Sequence, residues 1–163
     1  MSKQTYIDAT RSQYTDVCVG FNAIKSITNT IINFYSQFDR YNHLTYVDLY
    51  QHISPSIRNN QFKVFHTNGK IWGFANWALL NDNILQKFFN KGKLYTLDWT
   101  SGINLCYVDV VASRHVNYIM KWLRNHSVTM VGQNHPIYWI RSTKHKVKRI
   151  TKTKTKGYWK WAE

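Results

Sequence analysis

Acidic side chains are scarce in this chain of 163 residues: 8 Asp and Glu stand against 22 Lys and Arg, and the formal net charge is +14. Such an excess favours an acidic partner, whether nucleic acid, an anionic membrane surface or an acidic protein. The 2 cysteines, Cys18 and Cys106, are too few for a disulfide framework or a cysteine-based zinc site, and they fit a reduced compartment. No apolar run reaches the roughly 20 residues that a membrane-spanning helix needs. A soluble intracellular protein is therefore expected.

Several catalytic signatures are also missing. The sequence contains no phosphate-binding P-loop, no GxGxxG dinucleotide fingerprint and no GxSxG nucleophile elbow. No HxxxH or HExxH pair marks a metal site, so no metal is expected. With 7 glycines, 2 prolines and no repeat, the chain shows no linker, and one domain over 1–163 is predicted.

The hydrophobic residues, 44% of the chain, are arranged in alternating helical and extended patterns. Helices are predicted over 21–38, 46–52 (ended by Ser54-Pro55), 81–90 (between Asn81 and Gly92) and 114–126. Strands are predicted over 62–66, 70–77, 93–97, 104–111, 137–141 and 146–150. Asn68-Gly69 is a hairpin signal between the first two strands, and Gly73 suggests a bulge. The pattern predicts an α+β layer fold, a mixed, mostly antiparallel sheet with helices packed on it, in which Trp77 is core and the basic tail 151–163 is exposed.

One carboxylate is conspicuous. Asp109 lies within 105–111, a segment that is otherwise apolar and extended. Burying an unpaired carboxylate costs several kcal/mol, so it must be paired, neutral or functional. The two interpretations that remain are a solvent-facing or cation-paired residue of a half-exposed strand, and a carboxylate held at a functional site.

Three segments, taken in order, resemble one family. Pro55 to Phe62 is similar to its Pro-x-Ile-x-x-x-Gln-aromatic entry to the first strand, and Gly73 to Ala78 is similar to its return strand. The run Asp98 to Gly102 (Asp-Trp-Thr-Ser-Gly), followed by Asp109 in an apolar strand, resembles its most characteristic stretch. Over residues of about 30–150 the chain resembles the RTX toxin-activating lysine acyltransferases, cytoplasmic bacterial enzymes that carry a fatty acyl group from acyl carrier protein to internal lysines of a protoxin.

The resemblance implies an acetyltransferase-like fold, a phosphopantetheine thioester of acyl carrier protein as acyl donor with no bound cofactor, and a catalytic histidine–aspartate pair. Asp109 matches the aspartate, and His43 matches the histidine across a gap of about two residues, with His52 as the second candidate. After Asp109, Val111 to Arg114 departs from the family's Ala-Pro-Phe-Gly. The implied docking cations for an acidic carrier protein are Arg58, Arg114, Lys121, Arg124 and Arg141. The oligomeric state stays open, a homodimer included.

Two other classes compete with this interpretation. A non-enzymatic nucleic-acid-binding domain would account for the basic charge and for the aromatic–basic runs 138–141 and 157–161, which could stack on bases. It leaves Asp109 and the 98–102 turn unexplained. An acyl-CoA-dependent acetyltransferase predicts a glycine-rich loop between strand and helix, and the junction 112–115 has no glycine.

Overall fold

A computed structural model describes residues 21–142 and 148–154. Within these ranges the α-helices are α1 (Phe21–Tyr35), α2 (Tyr46–Arg58), α3 (Asp82–Lys91) and α4 (Val116–Val131), and short 3-10 helices cover Asp39–Tyr41 and Thr96–Thr100. The strands are β1 (Phe62–Thr67), β2 (Lys70–Leu80), β3 (Asn104–Ala112), β4 (Pro136–Ser142) and β5 (Lys148–Lys154). Their order in one sheet is β1-β2-β3-β4-β5. The predicted α+β fold with a mixed sheet is confirmed.

The β1–β2 hairpin forms where Asn68-Gly69 predicts it. The strands pair antiparallel, with Thr67 opposite Lys70, and the turn residues have φ of 50° and 76°. Positive φ at both turn positions is the geometry that matches the twist of the strands. The register shifts between Phe65 and His66, which face Gly73 and Ile71, so a bulge lies beside Gly73 as predicted.

The other strand pairs depend on longer connections. β3 and β4 are parallel, and the crossover that a parallel pair requires contains α4. β4 and β5 are antiparallel, with Trp139 opposite Thr151 and Pro136 opposite Lys154. Part of the segment predicted to be an exposed tail is therefore a paired strand. Backbone pairing does not depend on side-chain charge, and alternating threonine suits a strand. The remainder of that segment, 155–163, lies outside the described residues.

The chain divides into two compact units. The described part of the first unit is 21–76 with Asp109–Arg114. Its core combines one face of α1, the inner face of α2 and the strands below them: Ile27, Ile31, Tyr35, Tyr41, Leu49, Ile53, Ile57, Phe62, Val64, Phe74 and Val111. Isoleucine spacing of three and four along α1 creates the apolar face that this core buries.

The second unit contains Trp77–Val108 and the described residues from His115 onward. Its core includes Ala78, Leu80, Leu85, Phe88, Phe89, Trp99, Cys106 and Tyr138. The prediction that Trp77 is core is confirmed, because its side chain is 7% exposed and its ring lies 4.1 Å from that of His126. Helix α3 has the predicted caps: Asn81 accepts the Ile84 N–H, and Gly92 ends the helix at φ 66°.

Two predicted elements are wrong. Helix α2 does not stop at Ser54-Pro55 but contains Pro55 and continues to Arg58. The free energy gained by burying Ile53 and Ile57 in the core exceeds the cost of the backbone hydrogen bond that proline removes. The segment 93–97 is not a strand, because Asp98 accepts the Tyr95 N–H over 2.7 Å and winds the chain into the 3-10 helix Thr96–Thr100.

Candidate active site

The first unit brings four polar side chains together on an otherwise apolar core. Tyr35 ends α1, Tyr41 ends the 3-10 helix Asp39–Tyr41, His52 lies in the middle of α2, and Asp109 projects from β3. The capping box of Thr45 and Asp48 begins α2. From this start, Leu49 and Ile53 lie on the buried face of α2, and His52 shares it one helical turn after Leu49.

Asp109 contacts each of the other three side chains of the cluster. Its side chain is buried, and both carboxylate oxygens accept hydrogen bonds. The Tyr35 hydroxyl donates to Oδ2 over 3.0 Å, and the Tyr41 hydroxyl donates to Oδ1 over 2.9 Å. His52 Nε2 lies 3.0 Å from Oδ2. Of the two interpretations of Asp109, the exposed residue of a half-buried strand is therefore excluded, because the carboxylate is buried and fully engaged.

The environment keeps Asp109 ionised. Burial by itself raises the pKa of the carboxyl, but the hydrogen bond and charge of His52, the hydrogen bond from Tyr41 and the charge of Arg40 outweigh it. The pKa of Asp109 is therefore below its usual range. Hydrogen-bond donors and positive charges around a carboxyl group stabilise its ionised form.

The two tyrosines remain donors. Burial, followed by the negative charge of Asp109, raises the pKa of Tyr35 well above its ordinary value. The same two causes raise the pKa of Tyr41. Both hydroxyls are protonated at neutral pH and can only donate to the carboxylate, because a carboxylate has no hydrogen to offer.

The geometry sets the state of His52. In the neutral form of the imidazole, Nε2 carries the proton because it faces an ionised carboxylate, and the other ring nitrogen, Nδ1, then has a lone pair. The His52 side chain is 35% exposed, so the imidazole is accessible to solvent although Asp109 is buried. An imidazole held in this way can accept a proton at Nδ1 while the carboxylate stabilises the resulting imidazolium.

The structure places His52, and not His43, against Asp109, and the catalytic role of either histidine stays a prediction. His43 is exposed and lies before the Thr45 cap of α2, whereas the carboxylate contacts His52. The resemblance alone selects His43. A helix that ends before Pro55 is too short to show that His52 lies on the same face as the buried residues of α2. The apolar spacing Leu49, Ile53 and Ile57 across Pro55 is the signal that could have identified that face.

Tyr35 and Tyr41 were missed. In the sequence each is one aromatic among 11 tyrosines, and nothing local distinguishes a hydroxyl that reaches a carboxylate from one that reaches water. The Tyr46 hydroxyl, for example, donates to Asn29 Oδ1 in a solvent-exposed hydrogen bond instead.

The predicted docking cations are distributed over both units. Arg58 is exposed in the last turn of α2, and Arg114 is exposed after β3. Lys121 and Arg124 are half-buried on α4 in the second unit. Arg141 belongs to β4, and its side chain lies outside the described part of the chain.

Metal chemistry has no site in the described ranges. Within 21–142 and 148–154 no three His, Cys, Asp or Glu side chains cluster so as to hold a metal ion. Cys106 is buried, and burial raises the pKa of its thiol to about 12, which makes it a poor nucleophile.

A buried aspartate that orients a histidine fits group transfer to a nucleophile. Comparison with known families also indicates a group-transfer enzyme. The profile of the RTX toxin acyltransferase family matches residues 23–154. The chain belongs to this family. No curated protein matches the chain. The protein is thus an acyltransferase that acts on RTX toxins, and the matched range contains all four residues of the cluster. None of the described helices is long and apolar enough to cross a bilayer.

Proposed function

We propose that this acyltransferase moves a fatty acyl group from the thioester of an acyl carrier protein to the ε-amino groups of internal lysines in an RTX protoxin. The observation that carries the proposal is the 3.0 Å contact between His52 Nε2 and Asp109 Oδ2, in a chain that belongs to an acyltransferase family. Membership of that family favours an enzyme over the nucleic-acid-binding alternative.

The lysine nucleophile requires a base. With a free pKa near 10.4, on the order of one lysine in a thousand is an uncharged amine at neutral pH. In the proposed step the amine nitrogen attacks the thioester carbonyl while His52 Nδ1 accepts a proton from it. The C–N bond forms, the C–S bond breaks, and the imidazolium returns the proton to the departing thiolate.

Asp109 has a positioning role in this scheme. It holds the Nε2–H tautomer of His52 and stabilises the imidazolium, and its own lowered pKa keeps it from taking the proton. Tyr35 and Tyr41 hold the carboxylate in place. A second route, in which His52 first accepts the acyl group and then passes it to lysine, uses the same geometry.

The test is intact-mass analysis of a candidate protoxin incubated with the enzyme and acyl-loaded carrier protein. One added acyl mass per modified lysine is expected with the wild type, and none with H52A. A wild type that leaves the protoxin mass unchanged with every acyl chain length would contradict the proposed donor or acceptor. Incubation without protoxin separates the two routes, because only the second adds an acyl mass to the enzyme itself.

The proposed donor accounts for the charge. Acyl carrier proteins are acidic, and a net charge of +14 would accelerate their encounter with this chain. Exposed charges are screened over about 8 Å at 0.15 M ionic strength and about 3 Å at 1 M. The kcat/KM for the acyl carrier should therefore fall as salt rises.

Charge reversals locate the docking surface. R58E and R114E should lower kcat/KM at low salt and lose this effect at high salt. K25E is the matched control, since Lys25 is an exposed cation on α1 that is not a docking candidate. A salt-independent wild type would remove carrier docking as the reason for the charge.

A further inference from the structure

Three large hydrophobic side chains are exposed on one turn of the second unit. Tyr95, Leu97 and Ile103 expose 67%, 89% and 86% of their surface. They lie within and on both sides of the 3-10 helix Thr96–Thr100. Single exposed hydrophobic residues are ordinary, whereas contiguous exposed apolar surface marks an interaction site, and these three residues lie within nine positions of one another.

The turn that holds them is rigid. Trp99, between Leu97 and Ile103, is 1% exposed and belongs to the core of the second unit. The Gly102 N–H donates to the Leu79 carbonyl over 2.9 Å, and a Cβ on Gly102 would clash with the backbone nitrogen of Asn81. The backbone is therefore fixed against its neighbour, and little ordering entropy is lost when the exposed side chains bind something.

Exposed cations outnumber the carboxylates along 82–104. Lys93 Nζ lies 5.3 Å from the centre of the Tyr95 ring, and Lys87 is exposed on α3 just before it. Lys91 is exposed as well, so three lysines stand against two carboxylates, Asp98 and Asp82, which stay charged while they accept the Tyr95 N–H and an Asn104 amide N–H. An exposed apolar group with adjacent cations fits a surface that is both apolar and anionic.

We propose that this turn inserts Leu97 and Ile103 into the surface of a lipid bilayer that contains anionic lipid, with Tyr95 at the level of the headgroups and Lys93 on their phosphates. A side chain that is more than four-fifths exposed has almost no protein neighbours, so a protein partner would need a deep pocket for each one. Fluid acyl chains enclose such side chains without a preformed pocket, and tyrosine and lysine favour the interface. This inference does not rest on the proposed acyl donor.

The experiment is co-sedimentation of the full chain with vesicles of phosphatidylcholine alone or with 30 mol% phosphatidylglycerol, at 0.1 M and 0.5 M salt. The wild type should bind the anionic vesicles and keep part of this binding at 0.5 M salt. L97N and I103N should each weaken binding about tenfold, because fully burying one aliphatic side chain changes an equilibrium constant by about that factor. V116N is the matched control, since Val116 is 55% exposed on α4 and should not affect binding.

Several outcomes would overturn the proposal. Equal binding by L97N, I103N and the wild type would assign vesicle binding to the overall positive charge alone. No binding by the wild type would exclude the bilayer as the occupant. If L97N abolished a concentration-dependent dimer in analytical ultracentrifugation and left vesicle binding unchanged, the turn would contact a second copy of the chain instead. Thermal unfolding of each variant shows that the fold is retained, as expected for exposed positions.

Discussion

His52 Nε2 and Asp109 Oδ2 are 3.0 Å apart although 57 positions separate the two residues in the chain. Helix α2 supplies the imidazole, β3 supplies the carboxylate, and the core of the first unit holds both elements. Tyr35 shares Oδ2 with the histidine, and Tyr41 donates to Oδ1. The four side chains act as one unit, and this permits direct tests.

The first test compares the two histidines. We expect H52A to lower the rate of acyl transfer by about 10²–10⁴, the usual contribution of a general base. H43A should retain close to wild-type activity, since His43 is exposed and does not contact Asp109. Transfer rates come from the mass assay. An inactive H43A with an active H52A would return the catalytic role to His43.

The second test concerns the pH dependence of stability. Because the folded state lowers the pKa of Asp109, ionised Asp109 stabilises the fold above the carboxyl pKa of the unfolded chain, about 3.9. This contribution is lost as pH falls through the lower pKa of the folded state. Urea unfolding of wild type and D109N at pH 5 and 3 should show an advantage for the wild type at pH 5 that is smaller at pH 3. An advantage that grows below pH 4 would mean that the folded state raises the pKa of Asp109.

The third test removes one hydroxyl. Y41F should cost about 1.5–3 kcal/mol of unfolding free energy, because a buried hydrogen bond to a charged group is lost. The control is Y46F: the Tyr46 hydroxyl bonds Asn29 on the exposed surface, so its loss should change stability by less than about 0.5 kcal/mol. In the D109N background the Y41F penalty should shrink, and equal penalties in both backgrounds would show that the two residues are not coupled.

The fourth test concerns the core of the second unit. The Trp77 ring packs against His126 and Trp122, at centroid distances of 4.1 Å and 6.0 Å, and those two rings stack on each other at 4.7 Å. W77A should cost about 3–5 kcal/mol of unfolding free energy, as for other buried aromatic residues replaced by alanine. Denaturant unfolding measures it. A variant with unchanged stability would show that this stack contributes nothing to the fold.

Local signals predicted the local structure well. The caps of α3 at Asn81 and Gly92 and the hairpin at Asn68-Gly69 are encoded in a few adjacent residues, and all are confirmed. The elements that failed were decided by distant partners. Burial in the core carries α2 past Pro55, and pairing with β4 makes 151–154 a strand.

The site divides in the same way. The sequence alone determined that Asp109 needs partners, since a carboxylate in an apolar strand cannot be buried without them. It also determined the family resemblance and the positive charge. Which partners Asp109 has was decided only by the tertiary structure, because hydrogen bonds form between side chains that packing brings within about 3 Å. Tyr35, Tyr41 and His52 meet at Asp109 because the apolar faces of α1 and α2 pack in the core of the first unit, and no spacing along the chain records that distance.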